Sequence, residues 1–216
     1  MQSGKRPYLP AMLWPAMKEQ AVRHLLSQEW VIIYLDLPSA LTRDIARQEL
    51  RLAVTELLSR TFNLPPSKIR LISQAGKRVT VQMPEKEFAV SFSHESGLSA
   101  AAIHLHTNIA IDIVCFPKTT LFSQWVETSR LYLGQIKTDM ILEKPSDLQM
   151  SLFARHWTIL ESSCKYAGIP LQEYSEDFSD ALLLKIRQAN QYLIHLPAPY
   201  IGSIITGEPA LPHSDN

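Results

Sequence analysis

The chain has 216 residues, 46% of them hydrophobic, enough to bury a sizeable core in one large domain or two small lobes. Lysine plus arginine and aspartate plus glutamate number 21 each, so no overall field draws the protein to nucleic acid or to an anionic membrane, and any phosphate site must be a local cluster. The two cysteines, Cys115 and Cys164, lie far apart and offer neither a disulfide framework nor a zinc-finger spacing, which makes a reducing compartment the default.

Along the first residues, Lys5 and Arg6 precede a short apolar stretch that Pro10 and Pro15 interrupt, so neither a signal peptide nor a membrane span is expected, and the expected location is cytoplasmic. Val31 to Leu37 is a short apolar run closed by Pro38 and reads as a buried strand. Thr42 is then an N-cap for a helix in which Ile45, Leu50, Val54, Leu57 and Leu58 recur near helical spacing, until Asn63, Pro65 and Pro66 end it. The polar face of that helix carries Arg43, Arg47, Glu49 and Arg51.

Lys68 to Gln74 and Val79 to Gln82 read as a strand pair around a basic tip at Gly76, Lys77 and Arg78. Phe88 to Phe92 follows as a strand, Ser93 to Gly97 as a turn, and Leu98 to His104 and Ile109 to Val114 as two more strands, together an antiparallel meander. Ser123 to Leu142 is a helical stretch weakened at Gly134, and Pro145 marks a break. Leu148 to Gly168 is a helix with Leu152, Phe153, Trp157, Leu160 and Cys164 on its apolar stripe and Gly168 with Pro170 as its stop. A helix or loop and a final strand pair, near Tyr192 to Leu196 and Tyr200 to Thr206, complete the chain. Phe88 to Ile103 and Tyr192 to Ile205 share one loose pattern of strand, polar turn and apolar strand, which suggests two related lobes. The expected class is α+β: two similar lobes with a pseudo-twofold relation, residues 1–110 and 111–216, each a small antiparallel sheet packed with helices.

Some of these residues could carry chemistry. Strand alternation puts Ile109, Ile111 and Ile113 on one face and Ala110, Asp112 and Val114 on the other. Asp112 is therefore either on a solvated face or, if that face is covered, in need of a metal or an Arg or Lys partner. Trp157, Glu161 and Lys165 are spaced by four and stack along one helical stripe, where Glu161 and Lys165 could also be an ordinary surface pair. His94 and Ser93 could donate to a phosphate, but no nucleophile elbow accompanies them, which argues against a hydrolase triad. Walker, dinucleotide-binding, zinc-protease and kinase signatures are all absent.

Taken in order, the segments resemble the large, surfactin-synthetase-activating type of 4'-phosphopantetheinyl transferase over Leu41 to Leu171. Ala46-Arg47-Gln-Glu-Leu50-Arg51 is similar to the family's Ala-Arg-x-x-Leu-Arg helix, and Gly76-Lys77 to its Gly-Lys-Pro turn. Phe92-Ser93-His94-Glu95-Ser96-Gly97 resembles Asn-(Ile/Leu)-Ser-His-Ser-Gly, with Glu95 lacking a counterpart, and Ala110-Ile111-Asp112-Ile113-Val114 resembles Gly-Ile-Asp-Ile-Glu. Phe153 to Gly168 keeps the spacing of the family's Phe-x-x-x-Trp-(Ser/Thr)-x-Lys-Glu-(Ala/Ser)-x-x-Lys-x-x-Gly, with Leu160 in place of the first Lys.

The resemblance implies two α+β lobes, coenzyme A and magnesium in the cleft between them, and a monomer that modifies an acyl or peptidyl carrier protein. Asp112 and Glu161 would hold the metal, Glu161 would also be the base, and Lys165 would sit against the diphosphate. Arg47, Lys77, Ser93 and His94 would hold the nucleotide and its phosphates. Val114 stands where many members place a second metal-site acid, and the upstream Lys/Arg pair of some members has no clear match. Val114 and Leu160 also admit a member that binds coenzyme A or carrier protein without turnover.

Overall fold

Local signals set the longest elements. In the computed structural model, which describes residues 8–74, 78–116 and 124–207, the Thr42 hydroxyl accepts a hydrogen bond from Ile45 N at 3.4 Å and starts helix α2, Arg43–Phe62. Asn63 closes it in the left-handed conformation that asparagine tolerates better than most residues. Pro145 precedes helix α5, Ser146–Ala167, and Gly168 ends it at φ 66°, where the absence of a Cβ removes the steric cost. Gly134 divides the stretch expected as one helix into α3, Trp125–Leu133, and α4, Gln135–Leu142.

The remaining elements are β1 (Tyr8–Pro10), β2 (Met12–Leu13), α1 (Lys18–Gln28), β3 (Trp30–Asp36), β4 (Arg70–Ile72), β5 (Val79–Met83), β6 (Lys86–Glu95), β7 (Leu98–His104), β8 (Ile109–Cys115), α6 (Glu176–Ile186), β9 (Ala189–His195) and β10 (Tyr200–Gly207). They form an α+β fold with two sheets, ordered β2-β3-β7-β6-β5-β4 and β1-β9-β10-β8. Two sheets of unequal size thus stand where the sequence suggested two similar lobes. They do not divide the chain cleanly at residue 110, because β1 pairs in parallel with β9.

Alternation along the strands explains how the sheets stack. Val31, Ile33 and Leu35 of β3 and Ala101 and Ile103 of β7 pack with Leu50, Val54, Leu57 and Leu58 of α2 and with Leu25 of α1. The opposite faces of β3 and β7, including Ile32, Ala100 and Ala102, pack on Ile109, Ile111 and Ile113 of β8 and on Tyr192, Ile194 and Ile204. The outer face of the smaller sheet supports α5 and α6 through Ala110, Val114 and Ile205. No helix among the described residues is long and apolar enough to cross a membrane.

Two expectations are corrected. Ser93, His94 and Glu95 belong to β6, and the turn is confined to Ser96 and Gly97, because β6 keeps its pairing with β7 as far as Glu95 opposite Leu98. The meander consists of β4 to β7, and β8 leaves it for the other sheet: its three buried isoleucines are better covered against β3 and β7 than they would be beside them.

Candidate active site

The site begins with an edge. β8 lies at the rim of its sheet, where alternate backbone N–H groups would stay unpaired. Side chains of β6 satisfy them at period two. Ser91 Oγ accepts from Ile111 N at 3.0 Å, Ser93 Oγ accepts from Ile113 N at 3.1 Å, and the Glu95 carboxylate accepts from the backbone N–H of Cys115 and of Ser96. This ladder of side chains joins the two sheets and fixes the height of β8 relative to β6.

On the face of β8 turned to α5, Ala110 packs near Cys164 and Val114 near Trp157, which sets Asp112 between them beside the stripe of Glu161 and Lys165. Asp112 is buried, which rules out the solvated-face reading. Its Oδ1 accepts from Ser93 Oγ at 3.1 Å and from Lys165 Nζ at 2.6 Å. Lys165 Nζ also donates to the Ile111 carbonyl at 3.2 Å. The Lys165 ammonium is therefore bonded to Asp112, and among the described residues Glu161 forms no ion pair. The ordinary surface pair of Glu161 with Lys165 does not form because β8 covers this face of the helix. A hydrogen bond between the Ser162 and Ser203 hydroxyls, 2.9 Å, pins α5 to β10 at the level of Asp112.

Burial pushes the Glu161 carboxyl up to about 7, and the neighbouring Asp112 adds to the rise while Lys165 opposes it. A hydrogen bond to Asp112 also favours the protonated form. Glu95 is raised as well, by burial first and then by Asp112. Above these acids opens a cleft of about 670 Å³. Its other wall carries Arg43, Arg47 and Arg51, one helical turn apart on α2. Arg47 pairs loosely with Asp44 at 3.4 Å, and Arg51 lies over the Phe92 ring, 5.5 Å from its centre. His94 also lines the cleft. Burial and then the field of Arg47, Arg43, Lys165 and Arg51 lower its ring to about 4, so it is neutral at pH 7, with Nδ1 2.9 Å from Ser99 Oγ.

Of the residues expected from sequence, Arg47, Ser93, His94, Asp112, Glu161 and Lys165 all line this one cleft. Lys77 falls outside the described residues. Ser93 spends its proton on Asp112, so it orients that carboxylate as well as facing the cavity. Leu160 packs with the apolar cluster of Ala110, Cys164 and Phe178, so its side chain contributes to the core and not to the cleft. Sequence reasoning did not select Arg43, Arg51 or Glu95. The two arginines sit at i and i+8 on the arginine face already visible in the sequence, and Glu95 shares strand parity with Ser91 and Ser93.

The donor set suits a hard divalent cation. Two adjacent carboxylates, one buried, offer oxygen ligands, and Asp112 already accepts from a cation, the Lys165 ammonium. Among the described residues no three His, Cys, Asp or Glu side chains form a closed ligand set. A pair of carboxylates fits magnesium, which keeps several waters and shares its remaining positions with substrate phosphates. No protein-family model matches this sequence, and no curated protein matches it.

Proposed function

We infer that the chain is a 4'-phosphopantetheinyl transferase, moving 4'-phosphopantetheine from coenzyme A to a serine of an acyl or peptidyl carrier protein in the cytoplasm and releasing 3',5'-ADP. The observation that carries this reading is the convergence of Asp112 and Glu161, 49 residues apart in sequence, on the floor of a cleft walled by Arg43, Arg47 and Arg51. Acids that attract a cation, facing cations that attract phosphates, are what a diphosphate ester requires. The ordered motifs from Ala46 to Gly168 narrow that chemistry to coenzyme A.

In the reaction the carrier serine oxygen attacks the phosphorus attached to pantetheine, and the bond from that phosphorus to the oxygen of 3',5'-ADP breaks. Glu161, which lines the cleft beside Asp112, would accept the serine proton directly or through a water. Asp112, oriented by Ser93, and Glu161 would hold magnesium, which when bound supplies charge neutralisation at the diphosphate. Lys165, within the same cleft, would turn from Asp112 to the departing phosphate. The arginines of α2 would fix the nucleotide half and align phosphorus and nucleophile for in-line displacement.

The test is mass spectrometry of apo-carrier proteins incubated with the enzyme, coenzyme A and magnesium, which should show an addition of about 340 Da. Asp112→Asn and Glu161→Gln should each abolish the addition while retaining the fold. Absence of any shift together with absent coenzyme A binding refutes the assignment. Tight coenzyme A binding that ignores magnesium and gives no shift identifies a binding protein without turnover instead.

A further inference from the structure

The acid missing at Val114 has a neighbour that the sequence motif does not explain. Glu95 extends the family-like Ser-His-Ser-Gly segment by one residue, and its carboxylate enters the same cleft as Val114, Asp112 and Glu161. Its place is fixed: it accepts from the N–H groups of Ser96 and Cys115, the next residue of β8 after Val114. It is the third rung of the ladder whose first two rungs are Ser91 and Ser93. A neutral oxygen is sufficient for such a rung, as both serines demonstrate, so the charge of Glu95 is surplus to the joint between the sheets.

That surplus charge is placed where it costs most. Glu95 is half-buried beside Asp112, and its field also reaches Glu161. The nearest ammonium, on Lys165, is bonded to Asp112, and among the described residues neither Glu95 nor Glu161 has an ion-pair partner. The Arg43 guanidinium acts on Glu95 from the opposite wall without forming an ion pair with it, so Glu95, Asp112 and Glu161 stand together on the cleft floor where a divalent ion could be shared among them.

We propose that Glu95 takes over the work of the acid absent at position 114, acting as a positioning residue that holds water of the cation's hydration shell while Asp112 and Glu161 bind the ion directly. The proposal rests on the metal-dependent reading of the same cleft. The indirect contact follows from the two backbone N–H groups that already hold the Glu95 carboxylate at the end of β6 and from the readiness of magnesium to keep its waters. With two backbone donors satisfied, the Glu95 carboxylate retains lone pairs for such water.

The experiment is a titration of the full chain with Mn²⁺ alone, free manganese being read by electron paramagnetic resonance, for the wild type, Asp112→Asn, Glu95→Gln and Glu95→Asp. Outer-shell partners of metal sites contribute roughly 10- to 100-fold in affinity. Glu95→Gln, which keeps an oxygen for Cys115 N–H, is expected to weaken Mn²⁺ binding about 10-fold, and Glu95→Asp, which keeps the charge, no more than about 3-fold. Wild-type affinity in Glu95→Gln overturns the proposal, and so do equal losses in the two variants, which would mark a packing role. If Asp112→Asn weakens binding and Glu95→Gln does not, only this proposal falls. A wild-type protein that binds no Mn²⁺ removes the metal-dependent reading as well.

Discussion

Replacing Lys165 by methionine keeps most of the side-chain volume on α5 and deletes the ammonium that Asp112 accepts from at 2.6 Å. Removing one partner of a fully buried pair costs about 3–5 kcal/mol. Lys165 is 36% exposed against 5% for Asp112, so water screens one side of the pair, and the Ser93 hydroxyl still donates to the carboxylate. Those two facts lower the expected loss to about 2 kcal/mol, or roughly 4–8 °C in melting temperature for a chain of this size.

The sign with pH follows from the carboxyl pair. Without the ammonium, Asp112 and Glu161 limit their repulsion by retaining a proton, whereas Glu161 in the unfolded chain releases its own near 4.5. The folded state then binds more protons than the unfolded one between that value and the raised native one, so stability falls as pH rises. Lys165→Met should therefore lose less at pH 5 than at pH 8, in urea unfolding followed by tryptophan fluorescence in EDTA. Millimolar magnesium should restore part of the loss at pH 8. A variant as stable as wild type at pH 8 in EDTA would refute the claim that this ammonium neutralises the cleft floor.

Two other consequences are open to measurement. His94 titrates near 4 in the folded protein and near its ordinary 6.5 when unfolded, so as pH falls between those values the unfolded chain takes up a proton that the native state refuses. The raised Glu161 carboxyl acts in the opposite sense over the same range, so the effect is read as a difference: from pH 7 to pH 4 the wild type should lose roughly 2 kcal/mol more urea stability than His94→Gln, a figure already reduced for the ring's partial exposure to water. Gly202 of β10 faces the strand that carries Asp112. A Cβ there would meet Leu196 Cδ1 at 2.9 Å, Ile113 Cγ2 at 3.0 Å and the Asp112 carbonyl at 3.1 Å. Gly202→Ala should cost about 1–3 kcal/mol by overpacking in thermal melts, and should weaken Mn²⁺ binding by tilting β8.

Local chemistry made most elements legible. The boundaries of α2 follow from Thr42 and Asn63, and the end of α5 from Gly168, because caps act through backbone groups a few residues away. The partner of β8 was not legible by the same means. An alternating strand states which face is apolar, not which sheet that face will meet, so Ile109, Ile111 and Ile113 fit a meander as well as the smaller sheet. The side-chain ladder from β6 decides the matter, and its serines are too ordinary in sequence to announce it.

The same limit explains which parts of the site could be foreseen. The spacing of Glu161 and Lys165 is equally that of a solvated pair and of a catalytic stripe; what separates the two is whether a strand covers the helix face, a long-range fact. Once β8 is in place, the ammonium turns from the i−4 carboxylate to a buried one, because the buried charge has more to lose from standing alone. Glu95 follows by parity. With Ser91 and Ser93 bonded to β8, the next residue of the same face lies in the cleft, and β6 keeps its pairing with β7 as far as Glu95, which delivers a carboxylate there. An acid at a strand end thus changes what the cleft contains, since it sets the Glu95 carboxylate beside Val114, Asp112 and Glu161.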